Sequence, residues 1–549
     1  MTTGRVAAVA LSLAAAGCTE GGVPGAALES IRTEDLQPRI ATLASDSFGG
    51  RGPSSIGEER TMAYLQSQFT GLGLRPGNGE SWYQDVPLVR STVQGTPELT
   101  IRGRGAQARF AFADDYVAFT KRVVEAAGLD NSELVFVGYG VVAPEFQWND
   151  YDGLDVRGKT VVILVNDPGW AGQDTTLFRG RAMTYYGRWT YKFEEAARQG
   201  AQGALIVHET EPAAYGWDVV RNSWTGPQFS LAAEDGNAGR VAVEGWVGLE
   251  TARAIFRLAG QEFDSIKTQA DRRGFRAMPL GVTASLRLRN EIVRSNSRNF
   301  LALLPGTDHA DEYVIYMAHW DHFGMDPNRE GDQIFNGAVD NATGTAGLIE
   351  IAEAFTTLSS PPSRSVLFLA VTGEEQGLLG SQYYGTHPVV PLAKTVAAIN
   401  MDAMNTYGPS HDITVVGFGN SELDAYVEEA AHAQGRTVRP DPEPEKGYYY
   451  RSDHFSLAKV GVPSLYTDQG IDNVEHGEAW TRAREDEYRA QRYHQPGDEY
   501  SPSWDLSGQA EDLQLLFTVG FRLARGREFP NWREGTEFKA IRDQMLHHP

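Results

Sequence analysis

Apolar positions divide the chain into two kinds of territory. From Ser295 onward, unbroken apolar runs alternate with stripes at helical spacing. Phe300–Leu304, Val314–Met317, Val366–Val371 and Val396–Ile399 are apolar at successive positions, which predicts strands buried on both faces of a parallel sheet. Leu348, Ile351, Ala352 and Phe355 share one face of a helix between them. Ser421, with Asp424 three residues on, opens a second helix that Gly435 ends. Leu513, Leu516, Phe517, Gly520 and Phe521 make a third stripe ahead of Gly526. The alternation predicts an α/β fold, a three-layer αβα sandwich around a mostly parallel mixed sheet.

The same domain is expected to begin earlier. Asp46 to Gly52 is a glycine-rich turn, followed by Met62, Leu65, Phe69 and Leu72 at helical spacing and a stop at Gly73. Between these two parts the pattern changes to short β runs rich in Trp, Tyr and Gly. Glu133–Val142, Lys159–Asn166 and Ala204–His208 read as strands, and Phe193–Gly200 as a short helix. Residues 29–90 and 295–549 therefore form the catalytic domain. Residues 91–294 form a β-rich insert.

Charge and cysteine content narrow the partners. The chain has 549 residues, 49 basic and 72 acidic, for a net charge of −23. Nothing supplies the basic patch that nucleic acid requires. The single cysteine, Cys18, excludes an internal disulfide. It follows Arg5 and the apolar stretch Val6 to Ala16, which is too short to span a bilayer. Ala15-Ala16-Gly17-Cys18 looks like a bacterial lipoprotein signal, with Ala15 where leucine is usual. An ordinary secretory signal cut near Ala16 is the alternative. Residues 1–18 are then a signal and 19–28 a tether. The protein is expected to be exported to the cell envelope or periplasm, touching a membrane only through a lipid on Cys18.

The candidate chemistry gathers where the predicted strands end, which is where open α/β sheets bind ligands. His319 ends the run through Met317, Glu374 and Glu375 follow Val371, and Asp402 follows Asn400. Asp340 precedes the Leu348 helix, and His494 lies in a polar stretch near the C-terminus. Histidines and carboxylates together suit zinc. One ion would take His319 and the other His494, with Asp340 between them and Glu375 and Asp402 completing one set each. Asp321 is placed to accept the second ring N–H of a ligating histidine. Glu374 is expected as general base on a bridging water, and the Tyr493 phenol as a donor to the oxyanion.

At these residues the chain resembles a known family. Ala318-His319-Trp320-Asp321-His322, Gly337 to Gly344, Gly373-Glu374-Glu375-Gln376-Gly377, Asn400-Met401-Asp402 and Tyr493-His494-Gln495-Pro496 look like the signature blocks of the co-catalytic zinc aminopeptidases. The glutamate carboxypeptidases and transferrin receptors are relatives of that family. Phe136 to Gly140 and Gly158 to Val162 are similar to its protease-associated domain, which would cover about residues 131–245. The resemblance implies two zinc ions per chain, a cis peptide after Asp340, and release of N-terminal residues from peptides. It also places Arg451-Ser452-Asp453-His454-Phe455 near the substrate pocket, with His454 and Arg451 as candidate lining residues. A carboxypeptidase or dipeptidase on the same zinc site is the alternative, with Arg451 as the cation for the substrate carboxylate. A single-zinc glutaminyl cyclase and a receptor that has lost its ligands are further alternatives, and the complete ligand set argues against both.

Overall fold

The computed structural model describes residues 22–547, so the signal, Cys18 and His548 lie outside the described residues. Among the described residues, no helix is long and apolar enough to cross a membrane.

The site is carried by one mixed sheet. Its strands are β1 (Tyr83–Val93), β2 (Met278–Leu304), β3 (His309–His319), β4 (Arg364–Val371), β5 (Thr395–Asn400), β6 (Asp412–Val415), β7 (Thr437–Pro440) and β8 (Ser464–Asp468). β4 and β5 flank β3, and β8 lies beyond β5, all of them parallel. β2 runs antiparallel against β4, and β1 against β2. The parallel core puts the carboxyl ends of β3, β4 and β5 along one edge, which is why their last residues can meet.

Successive side chains of β3 serve two layers, as the pleat demands. Val314, Tyr316 and Ala318 pack among α1 (Thr33–Leu43), α2 (Ile56–Gly71), α3 (Thr343–Thr356), α4 (Leu423–Ala433) and α5 (Ser507–Arg525). Ile315 and Met317 face the other side, with Tyr384 and Leu457. This is the three-layer α/β sandwich. Each of these side chains is wholly buried, and Val314, Ile315, Met317 and Leu457 are worth about 1.5–3 kcal/mol apiece. The buried Tyr316 hydroxyl donates to the Leu516 carbonyl at 2.9 Å. That contact requires Gly520, because a Cβ there would lie 1.9 Å from the hydroxyl.

In the insert, Thr160–Leu164, Gly203–Val207 and Val243–Val247 pair in parallel, and Ala126–Phe136 joins Thr160–Leu164. The first half of β2 closes this second sheet. Residue 294 is therefore not a break: β2 runs through it for 27 residues and belongs to both sheets. Its middle, with Arg294, Asn296, Ser297, Arg298 and Asn299, carries no apolar signal. Pairing from Asn290↔Val93 to Phe300↔Tyr83 makes it a strand. Ser297 and Arg298 spend their polar groups on Glu58 of α2, both at 2.8 Å. The insert meets the catalytic domain through Arg179–Asn420 at 2.8 Å, Lys459–Glu194 at 2.8 Å and the Met183 N–H on the Pro444 carbonyl at 3.1 Å.

Candidate metal centre

Each motif residue arrives on its own element. His319 is the last residue of β3, Glu374 and Glu375 follow β4, and Asp402 follows β5. Asp340 sits in the turn before α3, after a cis peptide to Asn341 is counted. His494 follows the helix Glu478–Gln491 with a φ of 58°. All five proposed ligands and Glu374 converge.

Two groups form around one carboxylate. His319 Nε2 lies 3.1 Å from Asp340 Oδ1 and 3.1 Å from Asp402 Oδ1. His494 Nε2 lies 3.4 Å from Asp340 Oδ2 and 3.2 Å from Glu375 Oε2. Asp340 thus turns one oxygen to each histidine. Asp402 belongs with His319 and Glu375 with His494, a division the sequence left open. Asp340 and Glu375 are almost fully enclosed. Burial acts to lower the pKa of His319, yet Asp402 and Asp340 outweigh it and hold the ring well above its ordinary value. Burial is likewise outweighed at His494, where Glu375 and Asp340 push the ring up to about 10. So many carboxylates around two imidazoles make a site that holds cations, and the oxygen and nitrogen donors fit zinc. Burial raises Glu374 well above the carboxylate range; His319 opposes this, while Asp402 and Glu375 add to it.

Asp321 departs from expectation. His319 Nδ1 bonds the main-chain carbonyl of Asp321 at 3.1 Å, while the carboxylate is 4.0 Å away. The chain turns sharply after β3 and presents the carbonyl first. The Asp321 carboxylate instead accepts the Glu374 N–H at 3.2 Å, fixing the general-base candidate. A carbonyl can only accept, so Nδ1 carries the proton and Nε2 is left for a metal. Tyr493 stacks on His494 with ring centres 3.7 Å apart. Desolvation and then the carboxylates of Asp340, Glu375, Glu374 and Asp402 raise its pKa, so the phenol keeps its proton.

The two pocket candidates part company. His454 is wholly buried, stacked on Tyr466 at 4.9 Å and edge-on to Tyr449 at 4.7 Å. It packs aromatic neighbours and lines no open pocket wall. Arg451 is partly exposed, its guanidinium 5.2 Å over the Tyr448 ring. Its neighbour Ser452 donates to Asp402 Oδ2 at 2.5 Å.

Several supporting residues escaped the sequence reading. Arg51, wholly buried, donates to the carbonyls of Trp320 (2.8 Å), Leu43 (2.7 Å), Asn336 (2.6 Å) and Gly337 (2.7 Å). It ties the segment after His319 to the segment before Asp340. Asp498 accepts the N–H groups of Val339 (3.0 Å) and Asp340 (3.1 Å). His322 is buried and its Nδ1 touches Glu375 Oε1. The signal for Asp498 was its place four residues after His494. Arg51 gave none beyond its glycine-rich turn.

The chain is similar to known peptidases. Residues 299–518 match the model of peptidase family M28. The mouse aminopeptidase NAALADL1 is 33% identical over 131 residues, 23% of this chain and 16% of the mouse protein. A probable glutamate carboxypeptidase, AMP1 of Arabidopsis thaliana, is 29% identical over 369 residues, 62% of this chain and 47% of the plant protein. Aminopeptidase YwaD of Bacillus subtilis strain 168 is 25% identical over 221 residues, 39% of this chain and 45% of its own. The chain thus spans less than half the length of each of these curated relatives. The solved aminopeptidase of Aneurinibacillus sp. strain AM-1 shares the fold, with a TM-score of 0.50 and 18% identity over 91% of this chain and 96% of that one. Residues 299–518 thus match peptidase family M28, and the chain resembles the zinc aminopeptidases and their relatives.

Proposed function

We propose that the protein is an exported di-zinc aminopeptidase that removes N-terminal residues from peptides. The observation that carries this reading is Asp340, whose two oxygens face His319 and His494 separately, with Glu374 beside them. His319, Asp402 and Asp340 would hold one ion, and His494, Glu375 and Asp340 the other. When bound, such ions polarise the scissile carbonyl and lower the pKa of the attacking water.

The protein groups then have separate tasks. Glu374 takes the proton of the attacking water and returns it to the departing amine, a role suited to its raised pKa. The Asp321 carboxylate holds the backbone of that glutamate. Tyr493 donates a hydrogen bond to the developing oxyanion. Asp498 and Arg51 keep the turns beneath Asp340 and His319 in place.

Hydrolysis of aminoacyl-nitroanilides, with and without chelator and added Zn²⁺, tests the activity directly. Glu374→Gln should keep two zinc ions per chain while activity falls by about 10²–10⁴. Loss of metal along with activity would mean that Glu374 is a ligand and the roles of the two adjacent glutamates are reversed. For export, Cys18→Ala should release the protein from the membrane fraction. A wild-type protein that is already free of lipid would favour plain secretion.

A further inference from the structure

Glu374 and Glu375 are neighbours in sequence, yet the site needs one as a base and the other as a ligand. The Asp321 carboxylate holds the main-chain N–H of Glu374 at 3.2 Å. The side chain of Glu375 has a holder of its own. His322 Nδ1 is in contact with Glu375 Oε1, while Glu375 Oε2 faces His494 Nε2 at 3.2 Å. The two oxygens of this carboxylate therefore each meet a different imidazole.

The contact is dry and exclusive. The His322 and Glu375 side chains are 0% and 1% exposed. Apart from each other, neither Glu375 Oε1 nor either ring nitrogen of His322 has a hydrogen-bond partner among the described residues. A buried carboxylate oxygen without a donor is costly. The ring is the one group placed to supply it, and Nδ1, which faces the acceptor, is the nitrogen that carries a proton. Backbone fixes the ring in turn. The His322 N–H donates to the Arg51 carbonyl at 3.4 Å. Gly337, at a φ of 56°, leaves the ring its space, because a Cβ there would stand 2.5 Å from Cγ and 2.7 Å from Cδ2.

The ring stands beside the metal centre, since one donor atom each of His322, Asp340 and Glu375 lie within 4.8 Å of one another. Its near nitrogen is nevertheless engaged with Oε1. The oxygens turned to His494 are Glu375 Oε2 and Asp340 Oδ2. We infer that His322 is a positioning residue that makes Glu375, and not Glu374, the metal ligand: it occupies Oε1 and presents Oε2 alone to the ion at His494. This rests on the two-ion peptidase reading and adds the device that keeps the two adjacent glutamates in separate roles.

The test is zinc affinity, ion by ion, in chelator-buffered titrations that need no substrate. His322→Leu should weaken one of the two ions about 10–100-fold and leave the other within about threefold of wild type. An asparagine amide nitrogen stands where Nδ1 does, whereas that of glutamine reaches the place of Nε2. His322→Asn should therefore recover most of the lost affinity and His322→Gln little of it, a distinction that mere filling of space would not make. Circular dichroism in excess chelator verifies that each variant is folded, and the two amide variants decide the matter if the leucine variant is not. Unchanged affinity for both ions in His322→Leu overturns the inference, as does equal behaviour of the two amides. Outright loss of one ion from both amide variants would make the histidine a ligand itself and also overturn it. A wild type that binds a single ion removes the inference together with the two-ion reading. Two tightly held ions without hydrolysis of any aminoacyl-nitroanilide would instead sink the peptidase reading and leave the role of His322 standing.

Discussion

Replacing Arg51 with Met separates metal-site organisation from global stability. The methionine keeps most of the aliphatic volume and removes every donor. Three buried carbonyl oxygens, those of Leu43, Trp320 and Asn336, lose their partner at once, while that of Gly337 keeps the Ala342 N–H at 3.1 Å. At about 1.5 kcal/mol for each orphaned acceptor the loss is about 4.5 kcal/mol. The guanidinium itself sits in an unfavourable environment, since burial pushes its pKa from 12.5 down to about 10. Lifting that penalty on the charge returns about 3 kcal/mol. The net destabilisation is therefore about 1.5 kcal/mol, which a domain of this size survives. The local effect is larger, because the released carbonyls flank His319 and Asp340. Zinc affinity should fall about 10–100-fold, as when other outer supports of metal ligands are removed. Chelator-buffered zinc titration reads the affinity, and thermal melting in excess chelator reads the metal-free stability. A folded Arg51→Met protein that binds zinc as tightly as wild type would refute the argument, whatever its melting temperature.

Two further effects follow from packing. His454 is held near pKa 3 by burial, against 6.5 when free. Its folded-state value is depressed, so stability is fully present above pH 6.5 and is lost as pH falls towards 3, by up to about 5 kcal/mol in all. Urea unfolding at several pH values should show this slope, and His454→Phe should flatten it; an unchanged slope would assign the acid sensitivity to other groups. Gly520→Ala forces a methyl group onto the Tyr316 hydroxyl, 1.9 Å from the Cβ position, and should destabilise by at least about 1–3 kcal/mol. Double substitution with Tyr316→Phe should recover part of that loss in the same unfolding assay, and no recovery would place the clash elsewhere.

What could be read from the chain was whatever local chemistry announces. Buried strands are apolar at every position, so Val314–Met317 and Val366–Val371 were visible, and ligands at their ends followed from topology. Arg51 was not legible because its partners are carbonyls from three separate segments, and a backbone oxygen leaves no mark in a sequence. The middle of β2 was missed for a related reason. Its strand character comes from a ladder to Tyr83–Val93, not from its own polar side chains. Asp321 illustrates a third limit: its position beside His319 was right to notice, but whether carbonyl or carboxylate turns to the ring depends on one backbone turn.

That ladder also says something about how such a protein is put together. Val93 and Asn290, at the two ends of the insert, lie directly opposite each other, and between them the insert touches the catalytic sheet once more, where Gln228–Leu231 pairs with Leu88–Ser91. Replacing residues 94–289 by a tight two-residue turn would join β1 and β2 as a simple hairpin. The insert is therefore mounted like a cassette at one pair of ends, held by one further strand against β1, and both points of attachment lie away from the strands that carry the ligands.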